Sequence, residues 1–134
     1  MDHSADYCPP SLRTRAEYLT NNLKNVPYGA DTTGIVETLG RPEQYRRVTV
    51  NNGQKYDVWL YRTGYEKCRH MPTTYEFTPV VFHKGHVIGH GMDYVTTYVR
   101  PFVVADVQIM TGNEFRTGMA DAINYAAYPF SKAF

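Results

Sequence analysis

His83, His86 and His90 lie close together in the chain and flank Lys84-Gly85. Imidazole binds divalent metals and titrates near neutral pH, so this run offers a metal site or a pH-sensitive surface. With Lys84-Gly85 as a two-residue hairpin turn, His83 stands opposite His86, Val81 opposite Ile88 and Pro79 opposite His90. All three rings then share one sheet face. Opposed residues have Cβ atoms about 5 Å apart, close enough for His83 and His86 to hold one ion. His90 falls roughly 13 Å along the strand, so a further ligand has to come from elsewhere, such as His70 or Asp93. A solvated hairpin tip explains the same residues without metal.

The two cysteines, Cys8 and Cys68, permit one disulfide and have no neighbouring Cys at zinc spacing. Free thiols are the equal alternative. Cys68 has His70 two residues away but no recognisable nucleophile turn. Ser4, Ser11 and Ser131 lack a G-x-S-x-G context, and neither G-x-G-x-x-G nor a P-loop occurs. Glu37, Glu43, Asp57, Glu66 and Glu76 are scattered. No catalytic residue, cofactor or enzymatic activity is expected.

The remaining chemistry is that of contact. The chain has 12 Tyr against 6 Phe, and its net charge of +1 leaves no basic excess for nucleic acid. Tyrosine suits half-wet sheet faces and interfaces. Tyr56, Trp59, Tyr61, Tyr75 and Phe77 are candidates for a protein-contact surface. Arg62, Lys67, Arg69 and His70 form a basic loop beside Tyr61 and Tyr65. The protein-binding set is therefore Tyr56, Trp59, Tyr61, Tyr65, Arg69 and Tyr75. Core packing beneath helices is the alternative for the aromatics.

These residues need a scaffold, and 134 residues suffice for one core without metal or disulfides. Residues 1–10 read as a lead-in. Leu12, Ala16, Leu19, Leu23 and Val26 form a helical stripe that predicts a helix over 11–25, capped by Ser11 and stopped by Pro27. Asp31 caps a second helix carrying Ile35, Val36 and Leu39, and Gly40 and Pro42 end it. Tyr45 to Val50 and Lys55 to Arg62 alternate around Asn51-Asn52-Gly53-Gln54. This predicts a two-residue hairpin with Thr49 facing Tyr56 and Arg47 facing Val58, which makes neither face purely apolar. Thr73 to Phe82 and His86 to Gly91 form the second hairpin. Tyr94 to Val99 alternates like a strand, and Phe102 to Ile109 reads as another. Phe115, Met119, Ile123 and Ala126 recur at helical spacing. The expected fold class is α+β: two N-terminal helices packed on an antiparallel β-meander over 11–110, with a C-terminal strand and helix extension that becomes helical over 111–134. No stretch is long and apolar enough for a membrane helix. The first ten residues lack the pattern of a secretory signal.

The run Tyr28-Gly29-Ala30-Asp31, then Leu39-Gly40-Arg41-Pro42, then Asp57-Val58-Trp59-Leu60-Tyr61, then Pro79 to Gly91 resembles the SmpA/OmlA (BamE-like) family of small bacterial envelope proteins. The resemblance covers about residues 28–91. It implies a non-enzymatic binding or scaffold module supporting outer-membrane protein assembly or envelope integrity. It also implies a periplasmic or outer-membrane-associated location, after removal of a signal not present here, and an envelope protein as partner. Cys8 sits in no lipobox, so the resemblance does not extend to a lipid anchor. The same two-helix, three-strand unit resembles the repeat of β-lactamase inhibitor proteins. An inhibitor or immunity-type protein, binding an enzyme through its sheet face, is therefore the second reading. A small metal-dependent enzyme using His83 and His86 is the third, a cytoplasmic location the other compartment, and a homodimer through the C-terminal stripe the other partner.

Overall fold

The computed structural model describes residues 8–65 and 76–109. Helix α1 spans Pro10–Leu23 and buries Ala16, Leu19 and Leu23, three positions of the expected stripe. Pro10 occupies the first turn, where its fixed φ fits and its missing N–H costs nothing. Ser11 therefore lies inside the helix and does not cap it. Helix α2, Thr32–Leu39, opens where Asp31 accepts the Gly34 N–H at 2.8 Å and closes at Gly40, whose φ is 78°.

A helix of this length with an internal glycine cannot persist alone in water. Its C-terminal carbonyls are held by other elements. Tyr18 donates to the Thr38 carbonyl at 2.7 Å, Arg15 to that of Leu39 at 2.8 Å, and Tyr61 to that of Gly40 at 2.8 Å. The Arg15 charge also faces the negative end of the helix dipole. Burial pushes the Tyr61 phenol well up, so it remains a donor throughout the physiological range.

Strands β1 (Gln44–Val50), β2 (Lys55–Arg62), β3 (Phe77–His83) and β4 (His86–His90) form the expected meander. Helix α3 (Met92–Tyr98) and a 3-10 turn (Arg100–Phe102) lead to β5 (Val103–Ile109). The sheet is antiparallel with order β4-β3-β2-β1-β5. The fold is thus α+β, helices first. β5, read from sequence as part of an extension, returns to pair with β1. The predicted helix over 111–134 lies outside the described residues. No helix among the described residues is long and apolar enough to cross a membrane.

The first hairpin differs from expectation by one residue. Val48 pairs with Tyr56 and Thr49 with Lys55, and the Val50 N–H meets the Gln54 carbonyl at 2.9 Å. Asn51, Asn52 and Gly53 form a three-residue loop, with Gly53 at φ 89° and neither asparagine at positive φ. This is the type I turn plus left-handed glycine, not the two-residue type I′ turn. The slip re-sorts both faces. Val48, Val58 and Leu60 now share one face with Arg46, while Tyr45, Trp59 and the Arg47–Asp57 pair share the other.

The segment 92–98 is a helix, although its β-branched residues alternate as a strand would. Val95 and Val99, four apart, are both buried against Val48, Val58, Leu60, Phe77 and Val81. The opposite face carries Leu19, Leu23, Ile35, Leu39, Trp59, Tyr61, Val80, Phe82 and Val87. Helices α1 and α2 cover one face, and α3 packs on the other.

Arg46 and Asp106, both buried on the α3 side, form an ion pair at 3.0 Å. The second carboxylate oxygen of Asp106 is buried with no hydrogen-bond partner. Desolvation raises the Asp106 pKa against the opposing pull of Arg46. Asp106→Ala removes this carboxylate from a buried guanidinium and is expected to cost about 3 kcal/mol, read as a lower urea midpoint at unchanged slope. The folded protein holds the Asp106 proton more tightly than the unfolded chain. This group therefore favours folding increasingly as pH falls from its raised pKa toward the ordinary carboxylate value. Urea midpoints across that range are expected to lose this component in Asp106→Asn.

Candidate functional site

The residues expected to form a contact surface divide sharply. Trp59 is 9% exposed and Tyr61 1%. Trp59 packs edge-on to Tyr45 and tilted against Phe82, with centroids 5.3 and 4.5 Å away. Both Trp59 and Tyr61 lie beneath α1 and α2 and are core residues. Phe77 is buried on the opposite face. Arg62, read as part of the basic loop, is also committed to the fold. It is buried, pairs with Glu76 at 3.2 Å, donates to the Gly64 carbonyl at 3.1 Å and lies 4.2 Å over the Tyr65 ring. Tyr65 is half-buried under it, and its phenol is raised, first by desolvation. Lys67, Arg69, His70 and Tyr75 lie outside the described residues.

The second hairpin keeps His83 opposite His86. Beyond that pair β4 carries one extra residue, Ile88, between the partners of Val81 and Phe82. Gly89 therefore faces Val81, and His90 faces Val80. His90 is thereby moved to the α1 side, and the three histidines do not share a face. His83 stands edge-on to Tyr56 at 5.3 Å, whereas His86 Nδ1 donates to the Gly29 carbonyl at 3.1 Å. Among the described residues, no group of three His, Cys, Asp or Glu side chains could hold a metal ion. Asp93, proposed as a third ligand, opens α3. Cys8 is buried and disulfide-bonded, while Cys68 lies outside the described residues. The Cys8 Sγ is 2.9 Å from the Tyr65 carbonyl oxygen, a packing contact, since a disulfide sulfur has no proton to donate.

Of the selected residues Tyr56 is half-buried on the α3 side, beside an exposed aromatic surface made by tyrosines outside the selected set. Tyr28 is 81% exposed and Tyr98 63%. Tyr94 and Tyr98, four apart on α3, pack with centroids 5.1 Å apart. The Tyr94 ring packs on β4 at Gly89, where an added Cβ would come within 2.5 Å of it. Its phenol is raised first by desolvation and then by the phenols of Tyr56, Tyr28 and Tyr98. A shallow cavity of about 270 Å³ opens there, lined by Val26, Tyr28, Ile88, His90 and Tyr94 among others. On the far side of His90 a second cavity of about 400 Å³ is lined by Thr20, Lys24, Thr78 and Asp93. The legible signal was the four-residue spacing of Tyr94 and Tyr98, with Val95 and Val99 offset by one.

This arrangement places aromatic area, phenolic hydroxyls and the His90 ring at a sheet edge. Residues 10–97 match the model of DUF3192, a family of proteins of unknown function, and the chain belongs to that family. No curated protein and no solved structure matches it.

Gly89 is the residue on which the site's geometry turns. Gly89→Ala is expected to expel the Tyr94 ring from β4, seen as a changed near-ultraviolet circular dichroism spectrum with the far-ultraviolet spectrum retained. The loss of stability should be about 1–3 kcal/mol, as for other overpacked sites.

Proposed function

We propose that this chain is a non-enzymatic protein-binding module of the bacterial envelope, similar in role to the SmpA/OmlA proteins. It grips its partner through the tyrosines around the β4 edge. The observation that carries the reading is the exposure of Tyr28 and Tyr98 beside Tyr94, because tyrosines bury large area at low entropic cost and recur in binding hot spots. The α+β scaffold, with two helices on a meander, is the one the resemblance implies. The disulfide at Cys8 supports an oxidising compartment such as the periplasm, since such bonds are rare where thiols are kept reduced.

The module works as a rigid platform. Tyr94 is set on β4 and Tyr98 packs against it with the rings tilted by 40°, so a partner meets aromatic groups that have already lost much of their freedom. The His83 ring beside Tyr56 supplies a polar group at the rim.

The test is capture from envelope and cytoplasmic fractions of a cell that makes the protein, using the untagged partner's recovery as readout. A single envelope protein should be retained. The double variant Tyr28→Ala with Tyr98→Ala should lower its retention by at least about tenfold, since each hot-spot truncation costs on the order of 1–2 kcal/mol. Its unfolding temperature should stay close to that of the unaltered protein. Trp59→Ala should instead unfold the domain or cost about 3–5 kcal/mol, as core truncations do. Equal retention by the double variant, or a partner found only in the cytoplasm, overturns the proposal.

A further inference from the structure

A protein surface can take a segment of its partner as an added strand, as a helix laid in a groove, as an acidic or phosphorylated run held by arginines, or as a polyproline II helix on aromatic rings. The tyrosine site at β4 suits these modes unequally. Strand addition needs a run of open backbone. β4 has five residues, and the chain already pairs its edge. The Gly29 N–H donates to the Val87 carbonyl at 2.8 Å, the Val87 N–H donates to the Ala30 carbonyl at 2.8 Å, and Asp31 bridges to His86. Among the described residues lining the cavity at Tyr28 and Tyr94, none is Asp, Glu, Lys or Arg, so an acidic or phosphorylated run finds no cation there. A docked helix presents anchors at i, i+3, i+4 and i+7, a row about 10 Å long. A cavity of about 270 Å³ is too small to take that row.

Aromatic rings and their hydroxyls remain. Tyr28 and Tyr94 both line the cavity, and Tyr98 packs 5.1 Å from Tyr94. Elsewhere in the chain tyrosine hydroxyls are engaged by the fold. Tyr18 and Tyr61 donate to the Thr38 and Gly40 carbonyls at 2.7 and 2.8 Å, and Tyr56 donates to the Gln54 side chain at 3.1 Å. Among the described residues no hydrogen bond engages the hydroxyl of Tyr28, Tyr94 or Tyr98. The site therefore combines uncharged aromatic area with donors that the fold leaves open.

We infer that this site binds a proline-rich segment of the partner in the polyproline II conformation, with a proline ring in the cavity between Tyr28 and Tyr94 and the segment's carbonyls accepting from the tyrosine hydroxyls. The inference rests on the reading of these tyrosines as a protein-binding surface and names the chemistry of what they bind. A polyproline II segment makes no internal hydrogen bonds, and proline has no N–H. Its backbone therefore offers acceptors and few donors. A phenol O–H is the matching donor, and Tyr18 and Tyr61 already meet peptide carbonyls in this way within the fold. The proline ring is apolar and uncharged, as the cavity is free of carboxylate, ammonium and guanidinium groups among its described lining. Such a segment is extended before it binds, and Tyr94 and Tyr98 are already packed on each other. Little conformational freedom is then lost on either side.

The test is nuclear magnetic resonance titration of the isotope-labelled full chain with decaproline to about 1 mM, a concentration that reveals weak binding. A Gly-Ser peptide and an amphipathic helical peptide of equal length are the controls. The amide resonances of Tyr28, Gly89, Tyr94 and Tyr98 should shift and saturate with decaproline and stay in place with the Gly-Ser peptide. Tyr28→Ala with Tyr98→Ala should weaken binding at least about tenfold. Tyr28→Phe with Tyr98→Phe keeps the rings, removes two donors and should weaken it about threefold or more. This pair also keeps the test decisive if the alanine pair disturbs the fold. Absence of a saturable shift at these residues overturns the inference. So does unchanged affinity in the phenylalanine pair, or tighter binding of the helical peptide at the same residues. Capture of an envelope protein is measured separately. If the alanine pair abolishes that capture while decaproline does not bind, the proline chemistry falls and the protein-binding reading stands. If capture is also unchanged, both fall.

Discussion

Gly53 holds a φ of 89° and closes a three-residue loop, and that loop sets Val48 opposite Tyr56. Everything outward from β1 and β2 follows from this register. In a sheet with both faces buried, a slip of one residue exchanges the faces. The observed pairing gathers Val48, Val58 and Leu60 on one side and Tyr45, Trp59 and Tyr61 on the other. The first group makes a floor for α3. The second makes the floor for α1 and α2.

From that division the tyrosines acquire different jobs. Tyr61 is buried, and its hydroxyl closes the end of α2 at the Gly40 carbonyl. Arg15 and Tyr18 hold the two carbonyls before it. A short helix that propensity alone would not sustain is thus tied by its last turn to α1 and β2. Tyr28, Tyr94 and Tyr98 lie where the sheet has run out, at the β4 edge and on the outer side of α3. There a phenol can keep one side packed and the other wet. The excess of tyrosine in the composition reflects both uses.

Several elements were legible from residues alone because their signals are local. Asp31, Gly40 and Pro42 bracket α2 by capping chemistry. The spacing of Ala16, Leu19 and Leu23 marks α1, and Lys84-Gly85 marks the turn between His83 and His86. The misread places share a different character. Asn52-Gly53 is compatible with two hairpin turns, and the choice depends on which register buries the better face. Ile88 is a good strand residue whether or not it is bulged, so nothing in its identity shows that His90 changes sides. Residues 92–98 contain Val, Thr and Tyr, which favour strands. Packing of Val95 and Val99 on the sheet overrides that preference.

The sequence by itself determined the class of fold and the order of its first two helices and four strands. These depend on backbone preferences and short-range periodicity, which each segment carries with it. Only the tertiary structure decided which aromatics meet water. Trp59 and Tyr61 looked like the natural contact pair, yet α1 and α2 cover them, while Tyr28, Tyr94 and Tyr98 were brought together from a connection and a helix far apart in the chain. The return of β5 to β1, and with it the burial of Asp106 against Arg46 sixty residues away, was likewise a matter of long-range pairing. Exposure is a property of what lies on top of a residue, and no local pattern carries that information.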